Sequence, residues 1–409
     1  MSTRITTEIL GERPNLSAIT TSQPLSASWI RGGDGLVGFG RYAQKKVSGA
    51  DRFTQASQWW SNERSKLSIH NNVHGSGTGP ILFASFAFDE NDESELVIPE
   101  IIVGRKGTNS WITWIGDGPQ PQLDSLLSES SKPTFTYSQG ALSDTEWMKR
   151  VESAIGQISA GDYEKVVLAR DLIARSDKSV DTARLLQLLE QQYPSTWVFL
   201  IENLIGATPE LLVRLSKSLV TSRVLAGTIR KTGNESADLA LAGSLAKSSK
   251  DLEEHEYAVR SVADALAPYC SSTNVPDSPF VLHLANVMHL ATDVTGVVNE
   301  SASHADIFTL ISALHPSAAV CGTPTKKAKI AIDGLEGMSR GRYAGPVGWI
   351  DARGDGEIGI ALRCGFINES ESTVRIFAGC GIVAGSNPVD ELAESQAKLI
   401  PMRTALATL

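Results

Sequence analysis

The chain has 409 residues, 42% of them hydrophobic, which is enough apolar surface for a substantial core in one large domain or two ordinary ones. A formal charge of −9 and a pI near 5.4 exclude a general nucleic-acid binder, which needs a positive surface, but leave an anionic small molecule open where cations converge. The opening MSTRITTEILGERPNL lacks an apolar signal core and no run of about 18 apolar residues occurs, so neither secretion nor membrane spanning is expected and the default location is cytoplasmic.

In chain order, residues 80–87, 97–104 and 109–115 are short runs rich in β-branched and aromatic residues, bounded by Gly, Pro and Asn, and predict a β-rich first part. Residues 116–142, polar and rich in Pro, Ser and Gly, read as a long surface connection. Ser143 and Glu146 then have capping-box spacing, and Trp147, Val151, Ile155 and Ile158 recur on one helical face up to Gly161. Residues 166–175 (VVLARDLIAR) and 196–201 (TWVFLI) predict buried strands, and residues 210–225 a hairpin turning at Ser216–Ser218. A helix is expected from Ser249 to Leu266, a strand around 280–297, further strands at 343–351, 356–364 and 373–378, and a final helix from Pro388 capped by Asn387. Strands, hairpins and helices mix without a βαβ rhythm, which favours an α+β fold over a doubly wound parallel sheet, with residues 1–142 as an N-terminal β-rich portion and 143–409 as the remainder.

Two acidic pairs, Asp251 with Glu254 and Glu391 with Glu394, have i,i+3 spacing that puts both carboxylates on one helix face. If the two helices meet, four hard oxygen donors converge, a set suited to magnesium. Taken singly, each pair also suits a solvated helix N-terminus, where the macrodipole favours acids. The run GCGIVAG (379–385), between a predicted strand and the Asn387 cap, lets backbone N–H groups approach a carboxylate, although an ordinary glycine turn has the same composition. Lys165 opens an apolar strand after a Gly161–Asp162 turn, where a desolvated amine can serve as general base; Glu210 follows Thr208–Pro209, where a buried carboxyl can stay protonated and serve as acid. Arg363 and Lys398 are candidates for gripping carboxylates. His283 and His289, six residues apart, fall on one face of a continuous strand. There is no HExxH, GxSxG or Walker A motif, and the four cysteines (Cys270, Cys321, Cys364, Cys380) contain no CxxC pair, which fits reduced thiols.

The segments KVVLAR (165–170), GATPELL (206–212), LAGT (225–228), SKDLEEHE (249–256), MHLAT (288–292), LHPSAAVCGTP (314–324), RGRYAGPVGWID (340–351), GDGEIGIALRC (354–364), AGCGIVAGS (378–386) and DELAESQAKL (390–399) together resemble the chorismate-utilising enzymes, and within them isochorismate synthase. The resemblance implies one compact domain of large antiparallel sheets with helices, acting as a monomer on chorismate with magnesium, for menaquinone or siderophore biosynthesis. It implies that Lys165 activates water for attack on C2 and Glu210 protonates the departing C4 hydroxyl. It implies that Glu254 and Glu394 bind magnesium with Asp251 and Glu391 in support, that Tyr343, Arg363, Lys398 and the Gly379 and Gly381 amides hold substrate carboxylates, and that Thr228 and His289 lie near the ring. Lys165, together with Ala226 where aminodeoxychorismate synthases have lysine, points to water rather than ammonia as nucleophile. Salicylate synthases share the Lys165 and Glu210 pair and are the competing subfamily; a non-catalytic chorismate-binding protein is the alternative of another class.

Overall fold

Alternation of period two organises most of the chain into two large sheets, one of 13 strands and one of 10, in a computed structural model that describes residues 2–125, 132–284, 287–299 and 306–409, the side chains of Lys250 and Glu254 excepted. Among the described residues the pairing is antiparallel apart from Thr3–Ile9 beside Leu67–Asn71. Both sheets draw strands from both ends of the sequence: Trp197–Ile201 pairs with Leu25–Arg31, Phe199 opposite Trp29, and Pro346–Asp351 pairs with Ile81–Ser85, Trp349 opposite Phe83. Along Trp197–Ile201, Phe199 and Ile201 join a core between the sheets with Trp29, Phe83 and Trp349, while Val198 and Leu200 face a second core with Leu185, Leu189, Leu399 and Met402 of two helices. Burial on both faces is why this strand reads as an unbroken apolar run.

The expected capping box forms: Ser143 accepts from the Glu146 N–H, Glu146 reaches back to Ser143, and the helix Asp144–Ser159 follows. Ser249–Leu266 and Pro388–Thr408 are helices as expected, and Asn387 accepts from the Val389 and Asp390 N–H groups. The hairpin Leu211–Ser216 and Leu219–Arg230 turns at Lys217 and Ser218, both at positive φ.

Several expected boundaries are corrected. Residues 97–104 are two strands, Ser94–Ile98 and Ile101–Lys106, broken at Pro99, which has no N–H for a ladder. Within 116–142, Phe135–Gln139 is an edge strand on Lys165–Ser176 rather than connection; residues 126–131 lie outside the described residues. Residues 280–297 form a hairpin, Phe280–His283 against Val287–Val298, with Leu282 opposite His289, so His283 and His289 do not share one strand. The helix Arg52–Ser65 interrupts the β-rich first part; it buries Phe53, Ala56 and Trp60 on one face of a mostly polar segment.

Two further corrections bear on function. The strand expected at 343–351 begins only at Pro346, because Ala344 is left-handed (φ 61) and its N–H bonds to the Ala361 carbonyl. The strand expected at 356–364 stops at Ile360, and Arg363 is left-handed too (φ 50). Such conformations are unfavourable for residues with a Cβ and cluster where the chain must present a side chain. Both breaks lie on one cavity.

Candidate active site

That cavity, about 220 Å³, opens where Lys165–Ser176 begins and Thr373–Ile382 ends. Every expected site residue whose side chain is described lines it: Lys165, Glu210, Thr228, Asp251, His289, Tyr343, Arg363, Gly379, Gly381, Glu391, Glu394 and Lys398. The Glu254 side chain lies outside the described residues. His283 is not among the lining residues.

Lys165 is half-buried at the first position of its strand, opposite Thr323. Glu210 is fixed by backbone: its N–H donates to Thr208 Oγ1 at 3.3 Å, its carbonyl accepts from the Ile360 N–H at 3.2 Å, and Thr208 Oγ1 donates to the Ile360 carbonyl at 2.6 Å. Burial pushes the Glu210 carboxyl up to about 7, with Lys165, Lys398 and Arg363 pulling the other way without cancelling it. It therefore holds a proton for a substantial fraction of the time at neutral pH.

On the paired strands Leu219–Arg230 and Val287–Val298, His289 Nδ1 and Thr228 Oγ1 share a hydrogen bond of 3.0 Å. Burial, reinforced by Arg363 and Lys398, pushes His289 down to about 3, so the ring is uncharged, and its Nε2 is buried without a hydrogen-bond partner among the described residues. The wall bulges between Ala226 and Thr228, where Gly227 is left-handed (φ 76) and a Cβ would stand 3.1 Å from that of Asp251. Glycine here lets the Ser249–Leu266 helix approach and bring Asp251 to the cavity.

The cationic side is built on Thr373–Ile382. Its partner Cys364–Asn368 stops at Ile376, so one edge of 377–382 carries no strand. Lys398 reaches that edge, donating to the Gly379 carbonyl at 2.9 Å and pairing with Glu394 at 2.6 Å. Burial works against the lysine charge, but Glu394 outweighs it and holds Lys398 above its usual range; Glu394 is correspondingly held low despite its own burial. Tyr343 stacks on Phe377 with ring centroids 4.9 Å apart, and a Cβ on Gly379 would stand 3.0 Å from the Tyr343 hydroxyl. The GCGIVAG run is thus corrected from a loop after a strand: Gly379 and Gly381 lie within the strand, opposite Ala169 and Val167.

The acidic side has Asp251, Glu391 and Glu394 on the same cavity. Cys380 Sγ and carboxylate oxygens of Glu391 and Glu394 lie within 4.8 Å of one another. The Cys380 thiol donates to the Glu391 carbonyl at 3.3 Å, and burial pushes its pKa far up, so the donors offered to a cation are carboxylate oxygens. Ser386 Oγ donates to Glu391 Oε1 at 2.7 Å. This donor set fits a hard divalent ion of the magnesium type.

Val320, Arg340, Ala344, Phe377 and Ser386 also line the cavity and were not singled out from sequence. Arg340 and Ala344 fall within RGRYAGPVGWID and Ser386 within AGCGIVAGS, so those segments held the signal without assigning the residues. A cavity with a neutral carboxyl near pH 7, an amine, fixed cations and a group of carboxylates suits acid–base chemistry on a small polyanion.

The chain matches the family model for chorismate binding enzyme over residues 29–407. It is 34% identical to the isochorismate synthase MenF of Bacillus subtilis (strain 168) over 406 residues, 91% of this chain and 85% of that one. It is 33% identical to the isochorismate synthase DhbC of the same organism over 338 residues, 80% of this chain and 81% of that one. The solved structure of MenF, the menaquinone-specific isochorismate synthase from Escherichia coli, shares the fold at a TM-score of 0.81 and 22% identity, over 99% of this chain and 95% of that one. Among the described residues no helix is long and apolar enough to cross a membrane.

Proposed function

The chain belongs to the chorismate-binding enzyme family, and from that premise we propose that it is an isochorismate synthase, converting chorismate reversibly to isochorismate by attack of water at C2 with loss of the C4 hydroxyl. Its product feeds menaquinone or siderophore biosynthesis. In this reading Lys165 takes a proton from water as the oxygen bonds to C2, the ring double bonds shift, and Glu210 gives its proton to the C4 oxygen, which leaves as water. The observation that carries it is Glu210: a buried carboxyl raised to about 7 shares one cavity with Lys165, so a group able to give a proton near neutral pH lies in the same cavity as the residue assigned to take one.

Arg363, Lys398 and Tyr343, with the Gly379 and Gly381 amides, hold the two carboxylates of chorismate, buried fixed cations being suited to anions. Thr228 and the uncharged His289 contact the ring side without adding charge. Asp251, Glu391 and Glu394, with Glu254, would hold magnesium, which when bound supplies positive charge for a substrate carboxylate and offsets the repulsion among the acids.

Purified chain with chorismate and magnesium is expected to yield isochorismate, to stop on chelation, and to lose turnover by roughly three orders of magnitude in Lys165→Ala, within the range for loss of a general base. Accumulation of salicylate and pyruvate without an added lyase would move the chain to the salicylate synthases. Tight chorismate binding without turnover would make it a binding protein.

A further inference from the structure

The strand that carries Lys165 is paired unequally along its two edges. One edge is joined to Thr373–Ile382 from Val166 to Arg175. The other is paired only at its ends: Lys165 and Val166 with Thr323 and Gly322, and Leu172 to Ser176 with Gln139 to Phe135. Between these patches the Val167 N–H still donates to the Cys321 carbonyl at 2.8 Å and the Asp171 carbonyl accepts from the Gly140 N–H at 3.1 Å, but the Val167 carbonyl and the Ala169 N–H and carbonyl face protein interior with no backbone partner among the described residues, where unpaired groups are costly.

Side chains stand in for the missing strand. Arg340 Nη2 donates to the Val167 carbonyl at 2.8 Å, the Ala169 N–H donates to Glu336 Oε1 at 2.7 Å, and Trp147 Nε1 donates to the Ala169 carbonyl at 3.1 Å. Glu336 and Arg340 form a buried ion pair, Nε to Oε2 being 2.9 Å. Arg340 Nη1 also donates to the Val320 carbonyl at 2.8 Å, the guanidinium lies 4.2 Å from the Phe88 ring centroid, and the Arg340 carbonyl accepts from the Tyr343 N–H at 3.0 Å. One ion pair therefore ties together the strand two residues beyond Lys165, the Val320 wall and the turn that presents Tyr343.

We infer that Glu336 and Arg340 are positioning residues that hold the Lys165 strand in register against the cavity, acting on turnover through Lys165 rather than by binding substrate. A buried ion pair is a poor source of stability, since apolar residues of similar volume are often as good or better, whereas its directional bonds fix geometry that apolar packing leaves loose. Displacement of a catalytic group by about 1 Å is enough to cost roughly a hundredfold in rate. The inference rests on the reading of Lys165 as the base.

The test uses the full chain with Glu336→Gln, Arg340→Lys, Arg340→Met and the double variant Glu336→Leu/Arg340→Met. Expected are a fall in kcat of roughly tenfold for Glu336→Gln and roughly a hundredfold for the folded double variant, with KM for chorismate within about twofold of wild type and Arg340→Lys recovering part of the Arg340→Met loss. In parallel, acylation of Lys165 by acetic anhydride, followed by peptide mass spectrometry, is expected to change rate by about threefold or more in Glu336→Gln and the double variant, since the amine's surroundings change. Wild-type kcat with wild-type acylation in the folded double variant overturns the inference, and so does a raised KM at unchanged kcat, which would make Arg340 a substrate contact. Should the double variant fail to fold, the isosteric Glu336→Gln decides by the same two readouts. Absence of turnover in wild type would sink the enzymatic reading alone, while the acylation rates still show whether the pair governs Lys165.

Discussion

Two buried glutamates on neighbouring parts of this molecule are held in opposite ways. Glu336, with its side chain 1% exposed, is bonded to Arg340 and to the Ala169 N–H, so its burial is matched by partners. Among the described residues Glu210 feels the longer-range pull of Lys165, Lys398 and Arg363, and burial wins, raising it to about 7. The residue type and the degree of burial are alike; the partners decide whether a carboxylate becomes part of the frame or a proton carrier.

Replacing each glutamate is the strongest way to break this comparison. Glu210→Gln keeps the shape but removes the proton, and turnover in both directions is expected to fall by roughly a thousandfold, as for loss of a general acid. Retention of more than a tenth of wild-type kcat would remove Glu210 from the chemistry.

Stability is expected to move in opposite directions at the two sites. A carboxyl raised from 4.5 to about 7 contributes most to folding below its unfolded value, loses that contribution as pH rises through its folded value, and is a net burden above it. At pH 8 Glu210→Gln should therefore stabilise the chain by about 3 kcal/mol, the shift taken at about 1.4 kcal/mol per unit. Glu336→Leu alone strands the Arg340 charge and should destabilise by a similar amount, about 3 to 5 kcal/mol. Urea midpoints at pH 8 read both signs, and equal signs would mean that the two carboxylates are held alike.

How much of this was legible in the sequence follows the same division. A β-branched apolar run located the Lys165 strand, and strand patterning and caps located the Leu211–Arg230 hairpin and the helices from Ser249 and Pro388, because these depend on local pattern. The ten segments that resemble the family carried the residues that line the cavity, Phe377 excepted. Illegible were the breaks at Ala344 and Arg363, since their left-handed backbones are imposed by packing and not by glycine, and the pairing of Phe280–His283 with Val287–Val298, which read as one strand because the intervening sequence 284–286 contains neither glycine nor proline. The Glu336–Arg340 pair was illegible for another reason: the strand edge it completes is empty only because two other strands stop short of it, which no local pattern records.

The smallest effect is the pH profile, and it sharpens the comparison most finely. In the forward direction the reacting pair needs a proton on Glu210 and none on Lys165; the reverse direction needs the opposite arrangement. Those two forms contain the same number of protons, so kcat/KM must follow the same pH dependence in both directions. Below the Glu210 pKa of about 7 the pair holds one proton too many, and kcat/KM is expected to fall by about tenfold per unit as pH drops through that region. Because the limb belongs to the pair, it measures how strongly burial at Glu210 outweighs its three cations. Measuring chorismate and isochorismate consumption from pH 5 to 9 gives two curves of one shape, since their ratio is the equilibrium constant of an isomerisation; a flat profile between pH 5 and 7 would mean that the proton transferred in the reaction is not the one held by Glu210.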